Sequence, residues 1–151
     1  MLRVRTPHGP IELRLPADPA SARVVRMAAR ACLRGASARA RVPIPDGTPF
    51  QRACWRAALR IPRGQTRTYA WLATQAGSPG AVRAAAQAMR RNPWPLAIPC
   101  HRVVGARDLG GYAGSRDPAD PRVALKRWLL EREGRSTAKP RTFPRSHRRT
   151  A

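Results

Sequence analysis

The chain has 151 residues, enough for one core of about 100 residues with appendages and too few for two independent cores. Lys and Arg number 30 against 8 Asp and Glu, a net charge of +22 that favours polyanionic partners. A hydrophobic content of 42 % argues against wholesale disorder, and the few aromatics leave the core to Ala, Leu, Val and four Trp. Arg beside abundant Ala, Pro and Gly is also what GC-rich coding produces, so charge alone does not name a partner.

The start lacks the apolar stretch of a secretory signal, and no later run is long enough to span a bilayer. The expected location is the cytoplasm, with no membrane partner. Cys32, Cys54 and Cys100 are odd in number and far apart, so their spacing indicates neither a disulfide framework nor a metal site.

Leu2 to Arg5 and Ile11 to Leu15 alternate apolar and charged residues around Thr6-Pro7-His8-Gly9-Pro10, which reads as a short hairpin or two extended pieces. From Ala20 to Leu33 the residues Val24, Val25, Ala28, Ala31 and Cys32 recur at helical spacing, with Gly35 as the stop. Arg39 to Pro45 reads as a linker. Thr48-Pro49-Phe50-Gln51 is a capping box with proline at the first helical position, and that helix runs to about Arg60 before Pro62-Arg63-Gly64.

Thr68 caps a short helix through Tyr69, Leu72 and Ala73 that ends at Gly77, and Ser78-Pro79 starts another, Gly80 to Arg90. Two short helices around a glycine turn have the sequence form of a helix-turn-helix, a form many helical pairs share. Asn92 to Pro99 holds three prolines and is expected to be extended. Asp120-Pro121 caps a last helix with Leu125, Trp128 and Leu129 toward the core, ended by Gly134, and Arg135 to Ala151 reads as a mobile basic tail. The expected organisation is an N-terminal α/β appendage and linker over 1–45, a main domain over 46–134 and a disordered tail over 135–151.

A cysteine nucleophile needs a base, cation or dipole to supply its thiolate. Cys100 has His101 and Arg102 beside it, although most cysteines are simply small buried hydrophobes and an adjacent histidine on an extended backbone points away. Glu133 falls three and four residues after Leu130 and Leu129, a carboxylate on an apolar helix side that needs a partner. A nearby His suits it, and so does any of many arginines. A Cys, His and Glu proton relay is coherent. A thiol hydrolase is the weaker alternative, because no oxyanion-hole motif accompanies Cys100.

The string Ile98-Pro99-Cys100-His101-Arg102-Val103-Val104, with Asn92-Pro93 before it and Gly110-Gly111-Tyr112-Ala113-Gly114 and Lys126-Arg127-Trp128-Leu129-Leu130-Glu131-Arg132-Glu133-Gly134 after it, resembles the O6-alkylguanine-DNA alkyltransferases. Gly47-Thr48-Pro49-Phe50-Gln51, Ile61-Pro62-Arg63-Gly64, Thr68-Tyr69 and Ala81-Val82-Arg83-Ala84 match the same family in the same order. The resemblance covers about Asp46 to Gly134, the family's DNA-binding and active-site domain.

It implies a mostly α fold, a small helical domain with a winged helix-turn-helix-like unit, plus a truncated α/β N-terminal appendage. It also implies DNA repair by irreversible transfer of an alkyl group from O6-alkylguanine, and from O4-alkylthymine, to Cys100 after the base is flipped out of the duplex, with no cofactor, no metal and a monomeric protein. His101 acting through a water, Glu133, and Tyr69 as donor to the departing guanine complete the catalytic set. Arg83 as the finger filling the vacated stack, with Ala81, Ala84, Ala85, Asn92 and Thr68, would serve DNA binding in the minor groove. Asn92 would brace the turn before the active-site strand. Pro95, Val103, Tyr112 and Ala113 would line or support the alkyl pocket. A related class, noncatalytic proteins that bind the lesion without removing it, has another residue at the position of Cys100. Two departures stand out: Met1 to Pro45 is shorter than the family's N-terminal domain, and Ser115 to Pro121 lengthens a connection beside the pocket.

Overall fold

Local capping signals start most of the helices in the computed structural model, which describes residues 1–37, 41–112 and 115–134. Asp18 accepts a hydrogen bond from the Ser21 amide and opens α1 (Pro19–Leu33). Thr48 and Gln51 form the reciprocal capping box of α2 (Pro49–Leu59). Thr68 caps α3 (Tyr69–Gln75), and Asp120 caps the last helix, α5 (Pro121–Arg132). Each cap satisfies an amide that the first helical turn leaves without an intrahelical partner.

The fourth helix departs from expectation. α4 spans Val82–Arg90, two residues later than Ser78-Pro79 suggests, because Ser78 and Ala81 close a turn through Ala81 N–H to Ser78 C=O and Ala81 becomes an N-cap without a side-chain bond. Gly77, at φ +86°, supplies the left-handed residue that lets the chain reverse after α3.

Sheet is sparse. β1 (Leu2–Val4) and β2 (Ile11–Leu13) form an antiparallel hairpin with Leu2 opposite Leu13. β3 (Arg67–Thr68) and β4 (Val103–Val104) form a two-residue parallel ladder that fixes the start of α3 beside the active-site segment.

One apolar cluster runs from Val4, Leu13 and Val25 through Trp55 and Leu72 to Leu125 and Leu129. The hairpin is therefore part of the same core as the helices. Trp94 Nε1 donates to the Arg14 carbonyl (2.6 Å) and Arg14 N–H to the Pro93 carbonyl (3.2 Å), stitching the short N-terminal region to the loop before Cys100. Trp55 Nε1 donates to Ala88 C=O (2.9 Å), joining α2 to α4.

Asn92 to Pro99 is not helical, but neither is it extended. Leu96 sits at φ +74°, Pro95 bridges to Ile98, and Ile98 N–H returns to the Trp94 carbonyl, so the segment is a compact turn. Burial decides this: Leu96 is 3 % exposed, and packing holds a branched residue in a region it seldom adopts. The expected linker over Arg39 to Pro45 carries no helix or strand from Arg41 onward, while 38–40 lie outside the described residues. The expected tail, 135–151, lies outside them too. Among the described residues no helix is long and apolar enough to cross a membrane.

Candidate active site

Pro99, at φ −79° and ψ 62°, makes an inverse γ-turn in which Cys100 N–H bonds the Ile98 carbonyl (2.8 Å). A 3-10 turn, Cys100–Arg102, follows at once and leads into β4. This corrects the sequence-based objection to an adjacent histidine: the backbone is turned rather than extended at Cys100, so alternation across a strand does not apply to His101.

His101 is fully buried, and its Nε2 lies 3.0 Å from Glu133 Oε1. Arg102 grips the same carboxylate twice, Nη2 to Oε1 at 2.8 Å and Nε to Oε2 at 3.0 Å, and donates from Nη1 to the Ile61 carbonyl. The Glu133 side chain is only 3 % exposed. Burial pushes its carboxyl up, but the bonds from His101 and Arg102 more than cancel this and bring it down to about 2, so it is an anion at neutral pH. His101 is pulled below its ordinary value by burial, against the opposing pull of Glu133, and is therefore a neutral imidazole able to accept a proton. Its Nδ1 is buried and has no hydrogen-bond partner among the described residues. Both readings of Glu133 hold together, since it serves the histidine and an arginine at once.

The Cys100 thiol, 5 % exposed, is raised by burial and lowered by the Asn92 side chain, the Lys126 charge and the Tyr112 hydroxyl. Tyr112 Oη faces the sulfur but reaches no partner at hydrogen-bonding geometry among the described residues. Asn92 braces the turn as expected, donating to Ile98 C=O (3.1 Å) and accepting from Trp94 N–H (2.9 Å).

Lys126 has no counterpart in the sequence-derived site. It is completely buried, with Nζ donating to the carbonyls of Val103 (2.7 Å) and Gly111 (2.9 Å) and lying 5.8 Å from the centre of the Tyr69 ring. One ammonium thus ties β4 to the loop over the thiol, and burial lowers its pKa to about 8. Arg102, read in the sequence only as a neighbour of Cys100, was missed as the partner of Glu133. Lys126 had a readable signal, since it shares the apolar side of α5 with Val123, Leu129 and Leu130.

Cys100 lies in a cavity of about 480 Å³ whose walls are Tyr69, Arg83, Ala86, Gln87 and Arg90 on the helix side and Asp108, Gly110, Tyr112 and Arg116 on the loop side. Gly110, at φ +71°, packs tightly on Tyr69: a Cβ there would fall 3.0 Å from Tyr69 Oη, and the positive φ would strain any other residue. Burial first, then the negative field at Cys100, raises Tyr69 to about 12, which keeps its hydroxyl protonated and able to donate.

Two sequence assignments need correction. Ala85 is fully buried among core side chains, so it packs α4 onto the protein and is unavailable to DNA; the exposed positions of α4 are Val82, Arg83, Ala84, Gln87 and Arg90. Ala81 precedes the helix rather than lying on it. Pro95 and Val103, expected to line or support the pocket, are buried behind the cavity wall rather than part of it. Thr68 is the cap of α3, and Ala113 lies outside the described residues. In the long connection from Ser115 to Pro121, Ser115 pairs backbone to backbone with Tyr112, and Asp117 and Asp120 close turns leading into α5.

Ligating atoms of Cys32, His101 and Glu133 lie within 4.8 Å of one another, a cluster that sequence spacing does not reveal. Arg102 already occupies both Glu133 oxygens, and its charge opposes a cation there.

Residues 49–135, more than half of the chain, match the family model described as 6-O-methylguanine DNA methyltransferase, DNA binding domain. The chain belongs to this family. The constitutive methylated-DNA--protein-cysteine methyltransferase of Bacillus subtilis is 55 % identical over 88 residues, 58 % of this chain and 50 % of that protein. The chain spans about half the length of the curated relatives it matches. The crystal structure of Mycobacterium tuberculosis O6-methylguanine methyltransferase is similar over 91 % of this chain and 94 % of that one, with 31 % identity and a TM-score of 0.64. A structure of the Mycobacterium tuberculosis protein in complex with DNA is similar over 87 % of this chain and 91 % of that one, with 30 % identity and a TM-score of 0.62.

The buried thiols of this family member make its stability pH-dependent. Burial raises Cys32 to about 12 and Cys54 to about 11, whereas the unfolded thiols ionise near 9.0. Above pH 9 the unfolded chain therefore releases protons the folded chain keeps, and stability falls as pH rises toward 11. Lys126 works the other way, with a folded value of about 8 against 10.5 unfolded, but it is one group against the thiols and the raised tyrosines. Urea melts under reducing conditions should show a lower midpoint at about pH 10 than at about pH 8. A higher midpoint at the alkaline value would mean that Lys126 dominates.

Proposed function

We propose that the protein repairs DNA by transferring the alkyl group of O6-alkylguanine directly to Cys100. The observation that carries this reading is a buried thiol at the cavity wall, next in sequence to a neutral histidine whose other nitrogen is engaged by an ionised glutamate.

In this mechanism His101 Nδ1, through a bridging water, takes the thiol proton, and Glu133 stabilises the imidazolium that forms. The sulfur attacks the alkyl carbon, a carbon–sulfur bond forms, and the carbon–oxygen bond breaks with its electron pair going to the guanine. Tyr69 donates a proton to that guanine and is reprotonated in turn, so the thiol proton ends, net, on the product base. The thioether has no route back to a thiol, and each molecule acts once.

A thiol 5 % exposed cannot meet a stacked base, so the target nucleotide must be extruded into the cavity. α3 and α4 form the helix-turn-helix, of winged type, that docks in the minor groove, with Arg83 filling the vacated stack. Arg83 is exposed, lines the cavity and stands at the start of α4, which suits that role. The solved Mycobacterium tuberculosis complex with DNA supports DNA as the partner. O4-alkylthymine is a second substrate on this reading, and the working unit is a monomer built on the domain over 46–134.

The decisive experiment mixes the protein with a duplex carrying one O6-methylguanine and reads intact and peptide masses. One methyl group on the Cys100 peptide, with guanine restored, is the expected result; folded protein that binds the duplex and gains no methyl group would replace this reading with noncatalytic lesion binding. Arg83→Ala should slow repair of the duplex by roughly tenfold or more, since stabilising the flipped state is worth a few kcal/mol. Its reaction with free O6-benzylguanine should be unchanged, and equal losses on both substrates would remove Arg83 from the finger role.

A further inference from the structure

A second cavity, about 730 Å³, opens between the end of α1, the outer side of α2 and the turn before Cys100. It shares no lining residue with the cavity that holds the thiol and the α4 arginines. Five arginines converge on it: Arg41, Arg56, Arg60, Arg63 and Arg102. No Asp or Glu is among its described lining residues. Arg60 is held by the Gln75 side chain and Arg63 by the Arg132 carbonyl, contacts that position the guanidinium groups without neutralising them. Arg102 alone of the five has a carboxylate partner among the described residues.

Apart from Ser37 and Gln75 the rest of the described wall is apolar, with Ile44, Leu59, Ile61 and Leu96 among it. The volume is in the range of small-molecule sites, about 300 to 1,000 Å³. Mutually repelling cations around an apolar floor fit a ligand with several negative charges at one end and a flat apolar body at the other. We propose that this cavity binds a free oligophosphate-bearing ligand of nucleotide size. The arginine rim takes the phosphates, and the apolar wall takes the remainder. Because Arg102 belongs both to this rim and to the Glu133 pair, the ligand would sit directly behind the proton relay.

Calorimetric titration with ATP, at about 0.15 M salt to suppress surface attraction, tests the proposal without relying on alkyl transfer. One ATP per chain should bind, and the double variant Arg41→Ala, Arg56→Ala should weaken binding by roughly tenfold or more through the loss of two charge-assisted contacts. Both side chains are exposed, so the fold should survive, as circular dichroism can verify. The control variant Arg5→Ala, Arg26→Ala removes the same charge from exposed sites elsewhere and should bind ATP as the unaltered protein does. Equal weakening in both variants, or uptake of several ATP molecules per chain, would overturn the proposal. So would complete displacement of ATP by unmodified duplex DNA, which would make the cavity part of the DNA track.

Discussion

Replacing Cys100 by alanine should abolish methyl uptake completely while leaving duplex binding within about twofold of the unaltered protein. The two effects separate because the sulfur is the only atom of that residue the transfer needs, whereas the DNA-facing groups of the proposed complex lie on α4 and its flanks. The cost in stability is small: a single buried sulfur is removed, comparable to a methylene deletion of about 1 kcal/mol. Gel-shift titration beside mass spectrometry reads both quantities on one sample. Loss of binding together with transfer would show that the thiol holds the turn in place, and that the chemical reading of Cys100 had mistaken a packing group for a nucleophile.

What could be read from the sequence followed the range of the forces involved. The Thr48 and Gln51 capping box acts within one helical turn, so four consecutive residues sufficed to place the start of α2. Asp120-Pro121 worked the same way for α5. The loop from Asn92 to Pro99 failed, because prolines state only what the chain cannot do. Its actual path depends on Leu96 being driven into the core at positive φ, and on Asn92 reaching six residues ahead to the Ile98 carbonyl.

The same distinction runs through the site. Glu133 was legible as a carboxylate on an apolar helix side, and Lys126 carried the same kind of signal on the same helix. Arg102 was legible only as a cation beside Cys100, since in a chain with 30 basic residues nothing marks one arginine as the partner of Glu133 until the fold brings the two together. Ala85 shows the opposite error. Alanine-rich helices do not reveal which side is packed, and only the contact of α4 with α2 and α3 separates buried Ala85 and Ala88 from exposed Ala84.

Glu133→Gln should produce the largest combined effect, on stability and on rate together. The substitution keeps the shape but removes the charge that Arg102 and His101 share. Breaking a buried pair from one side typically costs about 3 to 5 kcal/mol, and here the retained Ile61 carbonyl and the partial exposure of Arg102 place the loss near the low end. Transfer to free O6-benzylguanine should slow by roughly a hundredfold, the lower range for removing an acid–base partner. A neutral amide in place of the carboxylate cannot stabilise the imidazolium, so the acid limb of the pH–rate profile, where protonated His101 stops accepting protons, should move to lower pH as the plateau drops. The double variant Glu133→Gln, Arg102→Met then separates the two roles. Removing the orphaned guanidinium should recover most of the lost stability without recovering the rate. If the rate returned with the stability, Glu133 would be a structural anchor for Arg102 and His101 would work unaided.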